Sequence, residues 1–152
     1  MPRIAIAALL ALLLAGCATS SGPYGNFVQS GLDQKKLARD AVKQLAVLYP
    51  PAKTRFVLKQ ATPDGFGLAL VATLREQGYA VVEYPQEAKA EGLASQASAR
   101  VAPALPLGYI LDHAGDPEVY RLTLLVGPQS LTRAYLAQNG SFVPAGQWVR
   151  KE

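Results

Sequence analysis

The sequence predicts a small α+β domain in which two helices pack on a mixed/antiparallel sheet, preceded by a flexible lipidated tether. Two segments repeat their apolar residues every three to four positions, as amphipathic helices do, and each is followed by a strand-like run, the first of which alternates like a half-buried strand. A strand-rich stretch fills the C-terminal part of the chain. Without the first 16 residues, the chain has 152 − 16 = 136 residues, which fits one domain with its own core.

The chain begins with the pattern of a bacterial export signal. Arg3 supplies a positive start, and an unbroken apolar run follows from Ile4 to Leu14. This run is too short to span a bilayer but has the length of a signal-peptide core. The residues from Leu14 to Cys17 resemble a lipobox, in which the cysteine is lipidated and becomes the first residue of the mature chain. We therefore predict a lipoprotein signal peptide over residues 1–16 and lipidation of Cys17.

A lipid on Cys17 would hold the protein on a membrane without a transmembrane helix, because two or more acyl chains anchor stably. Cys17 is the only cysteine, which excludes an intramolecular disulfide. The next residue is Ala18. An aspartate there would resemble a signal for retention in the inner membrane, so alanine favours the outer membrane, on its periplasmic face.

Residues 17–31 are rich in small and polar side chains and are predicted to form the flexible tether. Three larger residues interrupt this composition, namely Tyr24, Phe27 and Val28. One interpretation is that they bind a partner protein. The alternative is that Phe27 and Val28 pack onto their own domain beside the first helix, and the sequence leaves both open.

The domain is predicted over residues 32–152 and opens with an αβαβ half. Asp33 is a candidate N-cap for a helix that Pro50 and Pro51 end. A strand follows over 54–60. Thr62 or Asp64 caps the second helix, which ends before a C′ glycine, and a strand follows over 79–84. The apolar stripes of the two helices contain Leu37, Ala41, Leu45 and Leu48, and Phe66, Leu70 and Leu74.

The C-terminal half is predicted to be an antiparallel meander. Residues 85–106 have few large apolar side chains and contain Pro103 and Pro106, so we expect a long mobile loop there. Strands are expected over 107–113, 119–126, 130–138 and 141–150. The pair Asn139-Gly140 between the last two is the strongest short hairpin signal.

Catalytic and metal-binding patterns are missing from the sequence. The single histidine, His113, has no second histidine or cysteine partner with which to form a metal site, and it lies at a turn. No nucleophile elbow, Walker A loop or dinucleotide fingerprint occurs. We therefore predict no enzyme activity, no catalytic or metal-ligating residues, no cofactor and no small-molecule substrate.

The charge is mildly positive. Arg3 leaves with the signal peptide, so the net charge of +4 falls to +3 in the mature chain. The cations are spread along the chain rather than clustered in the basic stripe that nucleic-acid binding requires. Direct nucleic-acid binding is therefore not expected.

Several short segments resemble the TrbH family of conjugal transfer lipoproteins. They are the lipobox, the stretch from Tyr24 to Val28, and the segments 45–54, 64–70 and 78–81; Gly108-Tyr109, Tyr120-Arg121 and the segment Ala145-Gly146-Gln147-Trp148 are consistent with them. This resemblance implies a non-catalytic outer-membrane lipoprotein of a conjugative type IV secretion apparatus. It also implies a hetero-oligomer with other channel proteins, which stabilises the envelope channel for plasmid transfer. The alternative is a free-standing periplasm-facing lipoprotein that binds a small ligand or peptidoglycan.

Overall fold

The computed structural model describes residues 22–28, 31–84 and 104–152. The predicted signal peptide, Cys17 and most of the predicted 85–106 loop lie outside these ranges. In chain order the elements are β1 (Gly25–Asn26), α1 (Lys35–Leu48), a 3₁₀ turn (Pro51–Lys53), β2 (Arg55–Leu58), α2 (Gly65–Glu76), β3 (Ala80–Val82), β4 (Ala104–His113), β5 (Val119–Val126), β6 (Gln129–Gln138), β7 (Ser141–Pro144) and β8 (Val149–Lys151).

The strands of the described ranges form one open mixed sheet in the order β3-β2-β4-β5-β6-β7. The strand β1 pairs with β4, and β8 pairs with β6. Strand β4 is parallel to β1 and β2 but antiparallel to β5, which makes the sheet mixed. The two helices pack on the sheet, so the predicted fold class is confirmed.

One face of the sheet forms the core with the helices. Alternate residues of β4 and β5 are buried, as expected for strands with one covered face. Helix α1 presents Leu37, Ala41 and Leu45 to this core, at the three- and four-residue spacing of its apolar stripe. The largest fully buried side chains are Tyr109, Tyr135, Phe56, Phe66, Leu37, Leu45, Leu70, Leu74, Leu107, Leu111, Leu122 and Leu124.

Helix α2 begins and ends at predicted cap residues. Asp64 precedes α2, and its side chain accepts hydrogen bonds from the first free N–H groups of that helix. At the other end, Gly78 has φ +86°, and its N–H donates to Arg75 O at 2.9 Å while the Tyr79 N–H donates to Leu74 O at 3.0 Å. This is a Schellman motif, which only a residue free to adopt positive φ forms without strain. For α1 the N-cap is Gln34 rather than the predicted Asp33, which lies one residue earlier and accepts from the Lys35 N–H at 2.9 Å.

The hairpin between β6 and β7 forms where the sequence predicts it. Asn139 and Gly140 have φ values of +52° and +72°, which is the backbone of a type I′ turn. Such a turn matches the twist of the two strands that it joins. The register of β6 against β7 therefore follows from these two residues.

Two boundary predictions are wrong. The predicted loop extended to Pro106, but β4 begins at Ala104, and the Pro106 carbonyl accepts from the Gly127 N–H at 2.9 Å. Pro106, which indicated a loop, is compatible with a place near the start of a strand, where a missing N–H is tolerated. The predicted closing strand 141–150 is divided into β7 and β8, and the residues between them bulge away from β6.

Candidate functional site

The N-terminal segment enters the sheet. Gly25 and Asn26 lie opposite Ile110 and Leu111 of β4, and the Phe27 N–H donates to the Leu111 carbonyl at 2.8 Å. Since β5 occupies the other edge of β4, β1 lies on the same edge as β2, beyond the point where β2 ends. Two separate segments therefore complete one edge of the central strand.

A side chain closes the gap between these two segments. The Gln60 amide donates to the Tyr109 carbonyl at 3.2 Å and accepts from the Tyr109 N–H at 3.2 Å. It thus takes the place of a strand residue in the ladder, and the backbone groups of Tyr109 are satisfied. The edge of β4 presents paired backbone groups from β2 through to β1.

The carboxylate of Asp64 connects β1 to both neighbouring layers. It accepts from the Phe66 and Gly67 N–H groups at 3.1 and 3.0 Å and from Asn26 Nδ2 at 3.2 Å, and its second oxygen accepts from the Tyr109 hydroxyl. Asn26 Nδ2 also donates to Gln34 Oε1 at 3.1 Å. We call Asn26, Gln34, Asp64 and Tyr109 the Asp64 cluster. It joins the N-terminal strand, the starts of both helices and the centre of the sheet.

Burial keeps the Tyr109 hydroxyl protonated, so that it donates a hydrogen bond within this cluster. Its pKa is raised above the ordinary value, first because burial disfavours the phenolate and then because the hydrogen bond and the charge of Asp64 favour the protonated form. The ring packs edge-on against Phe66, with centroids 4.9 Å apart. The neighbouring Gly67 leaves no room for a Cβ, which would overlap the Tyr109 hydroxyl and Thr62.

The structure separates the predicted partner-binding residues. Val28 is only 6% exposed and belongs to the core, whereas Phe27 is 51% exposed. The half-buried Tyr24 accepts a hydrogen bond from Lys59 Nζ at 2.9 Å, and its ring covers Gly108. Cys17, the predicted lipidation site, lies outside the described residues.

Two parts of the N-terminal prediction are therefore wrong. The predicted tether ran to residue 31, but Gly25–Asn26 is a strand of the sheet and Val28 lies in the core. The physical reason is that Asn26 finds fixed partners in Asp64 and Gln34, which composition does not reveal. Val28 is not available to a partner; the alternative interpretation, packing on the chain's own domain, is confirmed for this residue.

A second polar cluster joins β6 to α1 on the helix-covered face of the sheet. Arg133 pairs with Asp40 of α1 at 2.9 Å and donates through Nε to the Gly146 carbonyl at 2.7 Å. The Tyr135 hydroxyl donates to the same carboxylate at 2.5 Å. Burial, followed by the hydrogen bond to Asp40, raises the pKa of Tyr135. These contacts hold the bulge between β7 and β8 against the helical layer.

The described residues form an open cleft but no metal-binding group. A cleft of about 480 Å³ lies at the starts of α1 and α2, and its lining mixes polar residues such as Asp33 and Asp64 with apolar ones such as Val28 and Leu32. Within the described ranges, no group of three or more His, Cys, Asp or Glu residues could hold a metal ion. The exposed His113 ends β4 and packs against the ring of Tyr120, with centroids 4.8 Å apart. In the same ranges, no helix has both the length and the apolar character to cross a membrane.

Sequence reasoning missed the Asp64 cluster. It identified Asp64 as a candidate cap but found neither Tyr109, which is 45 residues away, nor Asn26, which is 38 residues away. The only signal in the sequence was the pair Gly25-Asn26. The structure shows why glycine suits the first position, because its φ is +138°. No sequence pattern connects these residues across the fold.

One comparison with known proteins gives a match. The model of the family described as conjugal transfer protein TrbH matches residues 21–152, which include every described element. The comparisons with curated proteins and with solved structures gave no match.

Proposed function

We propose a place in the cell envelope for this chain, which belongs to the TrbH family of conjugal transfer proteins. It is a non-catalytic outer-membrane lipoprotein of a conjugative type IV secretion apparatus. There it stabilises the channel complex through which plasmid DNA passes. The observation that carries this proposal is the family match over residues 21–152, which covers the whole folded body.

The anchoring part of the proposal is supported by the leader and by the position of β1. The lipobox-like segment ends at Cys17, and the chain is fixed in the sheet from Gly25 onward. A lipid on Cys17 would then hold the folded body close to the periplasmic face of the outer membrane. The cleft at the helix starts is open to solvent and has a mixed lining, so it is not the closed apolar pocket that a ligand-binding lipoprotein would need.

Replacing Cys17 with serine is expected to move most of the protein out of the membrane fraction and to reduce plasmid transfer. Serine cannot form the thioether that holds the lipid, and the described helices offer no other span. Fractionation of cells that carry C17S, A18D or the control S20A measures this. We expect A18D to collect in the inner membrane and S20A to behave as the parent. C17S that remains firmly in the outer membrane would show that the anchor lies elsewhere.

We also propose that Phe27, with Tyr24 beside it, contacts a neighbouring channel subunit. The Phe27 side chain is half exposed although both flanking residues, Asn26 and Val28, are held by the domain. An aromatic side chain on a fixed backbone loses little entropy on binding, and such residues often dominate an interface. The lipid anchor would raise the local concentration of this segment at the membrane.

Phe27→Ser is expected to change the melting temperature little and to reduce complex assembly and plasmid transfer, because an exposed substitution costs at most about 0.5 kcal/mol. Val28→Ser is the contrasting variant. It places a hydroxyl in the core and should destabilise the domain by about 2–3 kcal/mol. Thermal unfolding of both variants, with co-purification and transfer assays, measures this. A stable F27S that transfers normally would contradict the docking role.

A further inference from the structure

The sheet has a second face that the helices do not cover. We call it the open face, and it is formed by the residues that alternate with the buried ones. In β6, β7 and β8, Leu136, Val143 and Val149 lie at such positions and are 44%, 38% and 65% exposed. Leu136 and Val143 are directly opposite each other, and Val149 lies opposite Thr132. We call these three residues the aliphatic patch.

The backbone around the aliphatic patch is held rigidly. Arg133 connects the bulge before Val149 to α1 through its contacts with the Gly146 carbonyl and Asp40, and Thr123 and Thr132 share a hydrogen bond of 3.1 Å across the open face. The exposed valines and leucine are therefore presented on a fixed surface. Leu136 and Val143 are adjacent on this face, and Val149 lies four residues further along β6, so together they mark a candidate contact surface.

The open face also carries an excess of positive charge. Its described positions hold four cationic residues, Arg55, Lys59, Arg121 and Lys151, and one carboxylate, Asp112, which pairs with Arg121 at 2.5 Å. A second copy of the chain would bring like charges together across such a contact. An apolar surface with negative groups is the complementary partner.

The position of the N-terminal segment favours a membrane as the surface that the open face contacts. The Tyr24 ring lies over Gly108, which is on the open face because its neighbours Leu107 and Tyr109 point into the core. The residue that precedes β1 therefore contacts the open face. From Tyr24 back to Cys17 there are seven residues, which span about 25 Å when extended. A lipid on Cys17 would hold the membrane within that distance of the open face.

We propose that the open face, with the aliphatic patch at its edge, rests on an anionic phospholipid surface. The inference depends on the lipid anchoring in the proposed function, because the anchor brings this face to the bilayer. Aliphatic side chains would enter the headgroup region while the cations contact phosphate groups. Phe27 follows β1 beside β4, two strands away from the aliphatic patch.

The test uses the mature chain from residue 17 with Cys17→Ser, so that binding does not come from the anchor. Its partition onto vesicles of dioleoyl phosphatidylcholine with phosphatidylglycerol is compared with its partition onto phosphatidylcholine alone by co-sedimentation. We expect binding to the anionic vesicles that weakens with added salt. In this background Val149→Glu should lower the partition coefficient by roughly tenfold.

The matched control is Val47→Glu in the same unlipidated chain. Val47 is 73% exposed on α1, in the helical layer, so the same substitution there should leave vesicle binding unchanged. Circular dichroism and melting curves confirm that both variants fold. Val143→Glu supplies a second variant of the patch if Val149→Glu unfolds.

Three results would overturn this proposal. The first is no binding of the unlipidated chain to anionic vesicles. The second is a dimer in sedimentation velocity that Val149→Glu dissociates. The third is lower plasmid transfer by Val149→Glu without any loss of vesicle binding, which would assign the face to a protein. The Cys17→Ser fractionation in cells tests the anchor separately, so either idea can fail without the other.

Discussion

Replacing Asp64 with alanine is expected to lower the free energy of unfolding by about 2–4 kcal/mol, one of two large effects that the structure predicts for this cluster. The carboxylate caps two N–H groups of α2 and accepts from Asn26 and from the buried Tyr109 hydroxyl. The loss of a cap costs about 1 kcal/mol, and a buried hydroxyl left without its charged partner costs about 1–3 kcal/mol more. Chemical denaturation and thermal unfolding measure the change.

Asp33→Ala is the matched control. Asp33 also accepts from a backbone N–H at the start of a helix, but this contact is exposed and involves one donor, the Lys35 N–H. Its loss should cost about 0.5–1 kcal/mol. Equal costs for D33A and D64A would show that Asp64 acts as a cap only and that the wider cluster contributes nothing.

Tyr109→Phe separates the contributions within the cluster. It removes the hydroxyl but keeps the ring that packs against Phe66. Because Asp64 and Tyr109 bind each other directly, the costs of D64A and Y109F should not add, and the double variant should be more stable than the sum predicts. Hydrogen exchange at the Phe27 amide should also rise in D64A, since Asn26 loses its bond to the carboxylate.

Much of the fold could be predicted because its signals are local. The apolar spacing of α1, the alternation in β5 and the Asn139-Gly140 turn each lie within a few consecutive residues. In each case the same residues that form the element also carry its pattern. The mixed sheet could be predicted because the strands of the αβαβ half and those of the meander can join in one sheet.

The candidate site could not be predicted in the same way, because its contacts join distant residues. The strand β1 has only two residues, and its place beside β4 depends on Asn26 reaching Asp64. The open face posed a related difficulty. Val149 is as apolar as the buried Val126, and only the pairing of β8 with β6 shows that it faces outward.

Replacing Gly67 with alanine is the second prediction with a large effect, and its sign opposes helix propensity. Alanine in an exposed helix is more stable than glycine by about 1 kcal/mol. At Gly67, however, the added Cβ would overlap the Tyr109 hydroxyl and meet the Thr62 backbone at 3.0 Å. The ring of Tyr109 is fully buried and cannot move aside. We therefore expect G67A to lower the free energy of unfolding by about 2–4 kcal/mol.

Gly146→Ala is the control for Gly67→Ala, because it has open space around it and no positive φ. It should change stability by less than about 0.5 kcal/mol or raise it slightly. The double variant G67A with Tyr109→Phe gives the sharper test. Removing the hydroxyl removes the atom that the new methyl group would meet, so the double variant should recover part of the stability that G67A loses. A G67A protein as stable as the parent would show that α2 can shift away from β4, and the close approach of helix and sheet at Asp64 would then not be essential to the fold.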